Sequence, residues 1–238
     1  MPRFFIGTSG YIYKHWKGIF YPEDLPQRKW LEFYSSHFDT VELNNTFYRL
    51  PERATFESWR ERTPEDFIFS VKGSRLITHI KRLKNSEEPL KNFLDNSEGL
   101  GGKLGPILFQ LPPRMKPDKN LIHEFLSLLP GNKRFVFEFR DSSWIRDDIL
   151  YELERKNIAF CIYDMPGYTT PIIKTADFSY IRFHGGEVLY GSSYTDEELE
   201  RWASEIKGLG CDVYIYFNND VGGFAVKNAL TLKEFLSA

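Results

Sequence analysis

Arg134-Phe135-Val136-Phe137-Glu138-Phe139-Arg140 decides how the fold is read. Side chains alternate faces along a strand, so Phe135, Phe137 and Phe139 share one face and Val136, Glu138 and Arg140 the other. The three rings belong under covering helices, which directs Glu138 and Arg140 inward, as in one strand of a closed parallel barrel. The same parity recurs elsewhere. Ile181 and Phe183 oppose Tyr180, Arg182 and His184; Val213, Ile215 and Phe217 oppose Tyr214, Tyr216 and Asn218. Earlier, Val41 and Leu43 oppose Thr40, Glu42 and Asn44. Phe67, Phe69 and Val71 oppose Ile68, Ser70 and Lys72, and Ile107, Phe109 and Leu111 oppose Leu108 and Gln110.

Eight runs rich in Phe, Ile, Val or Tyr and bounded by turn residues predict strands at Arg3–Gly7, Phe38–Asn44, Phe67–Gly73, Gly105–Leu111, Arg134–Phe139, Ala159–Asp164, Phe178–Gly185 and Asp212–Asn218. Helical stripes fall between them: Trp30, Phe33, Tyr34 and His37; Leu121, Ile122, Phe125, Leu128 and Leu129; Ile145, Ile149 and Leu153; Leu199, Trp202, Ala203 and Ile206. Thr195-x-x-Glu198 has the spacing of a capping box, and Ser86-Glu87-Glu88-Pro89 looks like another helix start. Alternating strands and helices imply an α/β fold, a single (β/α)8 TIM-type barrel over residues 1–238. One interval departs from the scheme. Met165-Pro166-Gly167-Tyr168-Thr169-Thr170-Pro171 is too Pro-rich for a crossover helix, so an irregular loop or a short turn is expected between strands six and seven.

The chain has 238 residues, 42% of them apolar and 16% aromatic, ample for one large core. Its net charge of −2 creates no global field towards nucleic acid or an anionic membrane. Cys161 and Cys211 form no CxxC pair and read as buried, reduced thiols. The first residues lack the apolar core of a signal peptide, and no apolar run is long enough to span a bilayer, so a cytoplasmic protein with no membrane partner is expected. Gly99-Leu100-Gly101-Gly102-Lys103-Leu104 lacks the Ser or Thr that follows a P-loop lysine and reads as a helix end. Nothing in the sequence specifies an oligomeric state.

Polar residues collect at the C-terminal strand ends, where parallel barrels keep their active sites. The candidate catalytic residues are Glu138 as base, His184 as partner acid, and Glu42 and Asp164 as further carboxylates. Lys72, Arg140 and Arg182 are candidate clamps for a carboxylate or phosphate. Asn44, Gln110, Tyr216 and Asn218, with Tyr11, Tyr48 and Trp144 from loops, complete the substrate-binding set. A small sugar or phosphate ester is the expected ligand, processed by acid–base chemistry. The bland alternative is a self-satisfied network in which three acids, Glu42, Glu138 and Asp164, neutralise three bases, Lys72, Arg140 and Arg182. Glu42, Glu138, Asp164 and His184 could also hold Mn, Mg or Zn, but the three bases crowd the same rim. His15, His37, His79, His123 and His184 show neither HExxH nor HxH spacing. No metal or cofactor is therefore expected. Lys72, Arg75, Lys81, Arg82 and Lys84, with His79 and nearby aromatics, keep open a nucleic-acid-binding or phosphodiesterase barrel resembling endonuclease IV, and a non-catalytic ligand-binding module stays open too.

Several motifs carry a family resemblance. Gly7-Thr8-Ser9-Gly10-Tyr11 with Trp16, Gly18 and Phe20-Tyr21-Pro22 resembles the opening of the YecE-like family, also called domain of unknown function 72. Glu42-Leu43-Asn44-Asn45-Thr46-Phe47-Tyr48 and Ile77-Thr78-His79 are similar to further motifs of that family, as are Gln110-Leu111-Pro112-Pro113 and Glu138-Phe139-Arg140 with Ser143-Trp144. So are Arg182-Phe183-His184-Gly185 and Tyr216-Phe217-Asn218-Asn219-Asp220. The resemblance spans almost the whole chain and implies a TIM-type barrel, without an established reaction. In the family a His usually follows the Glu-x-Arg of the fifth strand; here Asp141 stands there, and any role of that His would be altered or lost.

Overall fold

Phe135, Phe137 and Phe139 lie fully buried under the helices, while Val136 packs in a separate inner cluster, so the parity read from the sequence is the parity of the barrel wall. The computed structural model describes residues 2–237. In chain order the elements are β1 (Phe4–Thr8), α1 (Trp30–Ser35), β2 (Thr40–Leu43), α2 (Asn45–Tyr48), α3 (Arg53–Glu61), β3 (Ile68–Lys72), α4 (Glu87–Ser97), β4 (Leu104–Gln110), α5 (Lys119–Ser127) and β5 (Phe135–Glu138). They continue as α6 (Asp147–Arg155), β6 (Ala159–Met165), β7 (Tyr168–Thr169), β8 (Phe178–Phe183), α7 (Asp196–Gly208), β9 (Asp212–Phe217) and α8 (Phe224–Ser237).

The sheet runs β1-β9-β8-β6-β5-β4-β3-β2, parallel throughout, with β7 paired antiparallel to β6 outside that path. These eight parallel strands form a nearly closed barrel. Closure falls between β1 and β2, at a single parallel bridge from Ser9 to Glu42, with Gly10 N–H donating to the Glu42 carbonyl at 2.8 Å. The approach explains Gly7. A Cβ there would lie 2.2 Å from the Thr40 carbonyl oxygen and 2.9 Å from the Tyr34 hydroxyl, where no side chain fits.

Capping follows the sequence signals. Thr195 and Glu198 satisfy each other's free amides at the start of α7, as the capping box predicts, and Asp118 accepts from Leu121 N–H to open α5. Lys103 is no nucleotide ligand: its Nζ donates to the carbonyls of Arg60 (2.6 Å) and Thr63 (2.8 Å), tying the turn after α4 to α3.

The Pro-rich interval contains no helix. Pro166-Gly167, with Gly167 at φ 75°, turns the chain so that Asp164 and Met165 pair with Thr169 and Tyr168. The chain then runs back along β6, held by threonines. Thr170 Oγ1 accepts from Tyr163 N–H at 2.9 Å, and Thr175 Oγ1 accepts from Phe160 N–H at 2.8 Å and donates to the Ile158 carbonyl at 2.7 Å. This extended segment, with Ile173 packed on the core, covers β6 in place of a helix.

Inside the barrel, Phe5 stacks on Tyr214 at 4.6 Å near the N-terminal end, where Arg134 donates to the Tyr214 hydroxyl at 2.6 Å. Above them Leu108, Val136, Ala159, Cys161, Tyr180 and Tyr216 fill the interior. That plug closes the interior below the C-terminal rim.

Candidate functional site

Arg182, in β8, is 1% exposed and joins two fully buried carboxylates. Its guanidinium donates to Glu42 Oε1 at 2.8 Å and to Glu138 Oε2 at 2.6 Å. Ionised groups buried this deeply persist only when paired and hydrogen-bonded, and here they are. Glu42 also accepts from Ser9 Oγ at 2.5 Å and from the Tyr180 hydroxyl at 2.6 Å. Glu138 accepts from Arg140 Nε as well. Burial pushes the Glu138 carboxyl up, but the Arg140 and Arg182 charges outweigh it and hold the group well below the ordinary carboxylate range.

His184, just beyond β8, is fully buried between two partners. Arg140 donates to its Nε2 at 2.9 Å, so Nε2 is the acceptor and the ring's one proton resides on Nδ1; the Asn218 amide, 3.1 Å away, accepts that proton with its carbonyl oxygen turned to the ring. Burial, then Arg182 and Arg140, push its pKa well below the ordinary imidazole value, so the ring is neutral. The expectation of Glu138 as base and His184 as acid therefore meets a physical obstacle. Glu138 stays ionised among its cations and is a poor base, and both nitrogens of His184 are occupied.

Lys72, at the end of β3, differs from its neighbours. Its half-buried side chain places Nζ 4.7 Å from the centre of the Phe47 ring, with no ion pair or hydrogen bond among the described residues. Burial and the Arg182 charge lower its pKa to about 8, against the opposing pull of Glu138 and Glu42. Two carboxylates thus face three cations, and Lys72 carries the surplus charge.

The account of three acids and three bases fails because Asp164 lies elsewhere. In β6 the inward parity belongs to Ala159, Cys161 and Tyr163, so Asp164 turns outward, accepting from the Tyr194 hydroxyl at 2.8 Å and from Thr169 Oγ1. It borders a cavity of about 360 Å³ against α7, not the barrel mouth. Tyr163 takes its place at the rim, with the Arg140 guanidinium 4.8 Å from its ring centre.

Other expected ligand contacts also separate. Trp144 is fully buried, stacked on Phe139 at 5.1 Å and donating to the Met115 carbonyl at 2.6 Å. Tyr216 is deep in the interior, 2.7 Å from Thr40 Oγ1. Tyr11 is 6% exposed, its phenol near Arg62, Glu32 and Trp59, where burial raises its pKa to about 12. Tyr48 is 73% exposed beyond the rim. Gln110 and Arg140 do share a cleft of about 490 Å³ with Tyr163, Met165, Tyr168 and Tyr190. Asn44 and Tyr11 border a smaller cavity of about 150 Å³, and the buried Asn44 Oδ1 has no donor among the described residues. Asp141 accepts from Ser143 and from Lys116 at 2.9 Å, capping a short turn. The sequence does not single out Tyr163, Met165, Tyr168 or Tyr190; only the strand-six parity carries a signal, for Tyr163 and Met165.

These residues do not fit a metal ion. The carboxylate oxygens and both His184 nitrogens already have partners, and no group of three or more His, Cys, Asp or Glu side chains suited to an ion occurs among the described residues. The Arg182 guanidinium fills the space between the two acids.

Among the described residues, no helix is long and apolar enough to cross a membrane. Residues 5–238 match the family described as Protein of unknown function DUF72. The UPF0759 protein YunF of Bacillus subtilis (strain 168) is 29% identical over 252 residues, covering 91% of this chain and 89% of YunF. The UPF0759 protein YecE of Escherichia coli (strain K12) is 34% identical over 111 residues, 46% of this chain and 41% of YecE. A DUF72 family protein from Thermotoga maritima superposes with a TM-score of 0.89 at 31% identity, covering 99% of this chain and 100% of that one. The IOLI protein, solved with a binding zinc atom, has a TM-score of 0.50 at 11% identity over 84% of this chain and 88% of its own, a likeness of fold alone. The family match embraces the barrel and every residue of the charged cluster, and the chain belongs to the DUF72 family.

Proposed function

We propose that the C-terminal rim of the barrel binds a small anionic molecule, such as a sugar phosphate or another phosphate ester, and acts on it by proton transfer. The observation that carries this reading is the unpaired Lys72 ammonium beside a cluster whose other charges are matched. An anion that engages Nζ completes the charge balance. The same amine, with its pKa near 8, exchanges a proton close to neutral pH, which Glu138 and His184 do not. Arg182, Glu42 and Glu138 then act as a rigid floor, while Arg140 and Gln110 line the adjoining cleft.

Ligand-observed NMR against a panel of small carboxylates and phosphate esters tests this. Binding weakened at least tenfold by Lys72→Met is the expected result; binding equal in both proteins contradicts it.

A second reading has its own support. Arg75, Lys81, Arg82 and Lys84, in the loop after β3, form no ion pair among the described residues, so a nucleic-acid backbone could dock beside the mouth. Affinity for a short DNA or RNA that falls steeply with salt would favour it over the small-molecule reading.

A further inference from the structure

Lys72 has the surroundings of a nucleophile as well as of a clamp. Its strand end is fixed, since Thr46 Oγ1 donates to the Lys72 carbonyl at 2.7 Å and Gly73 N–H donates to the Leu108 carbonyl at 2.8 Å. The amine lies against the Phe47 ring, whose edge is packed by His79 at 4.9 Å. The charged groups near it are Glu42 from β2, Glu138 from β5, Arg140 just beyond β5, and Arg182 from β8. Both acids are engaged by guanidinium groups, so neither holds Nζ in an ion pair. His79 reports the field on the other side: burial, then Lys72, Arg75 and Arg82, lower its pKa.

The loop carrying Arg75, His79 and Arg82 is built to a definite shape. Leu76–Ile80 form one π-helical turn, an uncommon form frequent at functional sites, and Arg82, Leu83 and Asn85 hold positive φ values of 50°, 69° and 47°. Each such backbone state is unfavourable for a residue with a side chain and persists only where the surroundings impose it. The loop therefore brings Arg75 and Arg82 near His79, which packs on the same Phe47 ring as the Lys72 amine, and that amine has no hydrogen-bond partner among the described residues.

We infer that Lys72 is an imine-forming lysine whose substrates are small aldehydes or ketones bearing a carboxylate or phosphate, the anionic group being held by the basic loop after β3. This deepens, and rests on, the proposed anion-binding role of the rim. In the step, the Nζ lone pair attacks the carbonyl carbon, a C–N bond forms as the C=O π bond breaks, and the oxygen takes up one proton from the nitrogen. The carbinolamine then breaks its C–O bond, and its hydroxyl leaves as water with the nitrogen's second proton to give the imine, with no change of oxidation state. A neutral amine is required, and the lowered pKa supplies one near pH 8, where an ordinary surface lysine is almost wholly protonated.

Borohydride trapping tests the inference. The protein and Lys72→Arg, which keeps the charge, are incubated at pH 8 with glyoxylate or glyceraldehyde 3-phosphate and sodium borohydride, then mapped by peptide mass spectrometry. The expected result is one adduct per chain on Lys72, at least tenfold above any other lysine, and none at this position in Lys72→Arg. Labelling spread evenly over surface lysines overturns the inference. If these compounds bind, by NMR, but leave no adduct on Lys72, the imine is excluded and the anion site stands. If they neither bind nor label, and the phosphate and carboxylate panel also fails to bind, both readings fall.

Discussion

Arg182 holds two buried carboxylates, so its loss is felt twice. Arg182→Met leaves Glu42 and Glu138 without their shared cation, and breaking a buried pair in this way costs about 3–5 kcal/mol. A large fall in the urea midpoint is expected, and a change below about 1 kcal/mol would mean that the cluster is not a structural floor. The pH dependence has a definite sign. Glu138 is held below its ordinary value in the fold, so its stabilisation is present above the usual carboxylate range and is lost as acid reaches it. His184 stays neutral while the unfolded chain takes up a proton below about pH 6.5, which again weakens the fold in acid. Lys72 acts at the other end: between about 8 and the ordinary 10.5 the unfolded chain binds its proton and the folded chain does not, so stability rises with pH across that window. Urea midpoints of the protein and Lys72→Met, compared from pH 7 to 10.5, read this difference directly; parallel curves would contradict it.

Elements explain why some candidate residues were legible and others were not. Alternation named Glu42, Lys72, Glu138, Arg140, Arg182 and His184 because each lies in, or just past, a strand whose opposite parity is plainly apolar. Asp164 lies off the rim because it shares the parity of Phe160 and Ile162, which pack outward, and a strand-end position alone does not specify a face. Tyr11 and Trp144 come from loops, which have no periodicity to tell a ring facing a ligand from one facing the core. Trp144 faces the core. Trp144→Phe should lower the thermal midpoint, through loss of the hydrogen bond to Met115 and of stacking area on Phe139, while leaving ligand affinity within about twofold. Asp164→Asn should likewise leave affinity at the mouth unchanged, since its partners are Tyr194 and Thr169. A tenfold loss of binding in either variant would return these residues to the site.

At the scale of the molecule, closure and charge are coupled. The one bridge that joins β1 to β2 runs through Ser9 and Glu42, and Glu42 is also a partner of Arg182. Gly7→Ala should therefore disturb more than packing: a methyl group against the Thr40 carbonyl forces the first two strands apart, at a typical cost of about 1–3 kcal/mol. The sequence showed eight strands and the helices α1 and α4 to α7, but not this closure, because no local pattern records which carbonyl a glycine must approach. It also could not show that Lys72 is left over, since that depends on where Asp164 points and how Arg182 is shared. The most direct test is a titration of Lys72 itself. NMR of protein labelled with 13C at lysine Cε, assigned with Lys72→Arg, should show a midpoint of about 8 that moves upward when an anionic ligand binds. A midpoint at the ordinary 10.5, indifferent to every anion tried, would contradict the account.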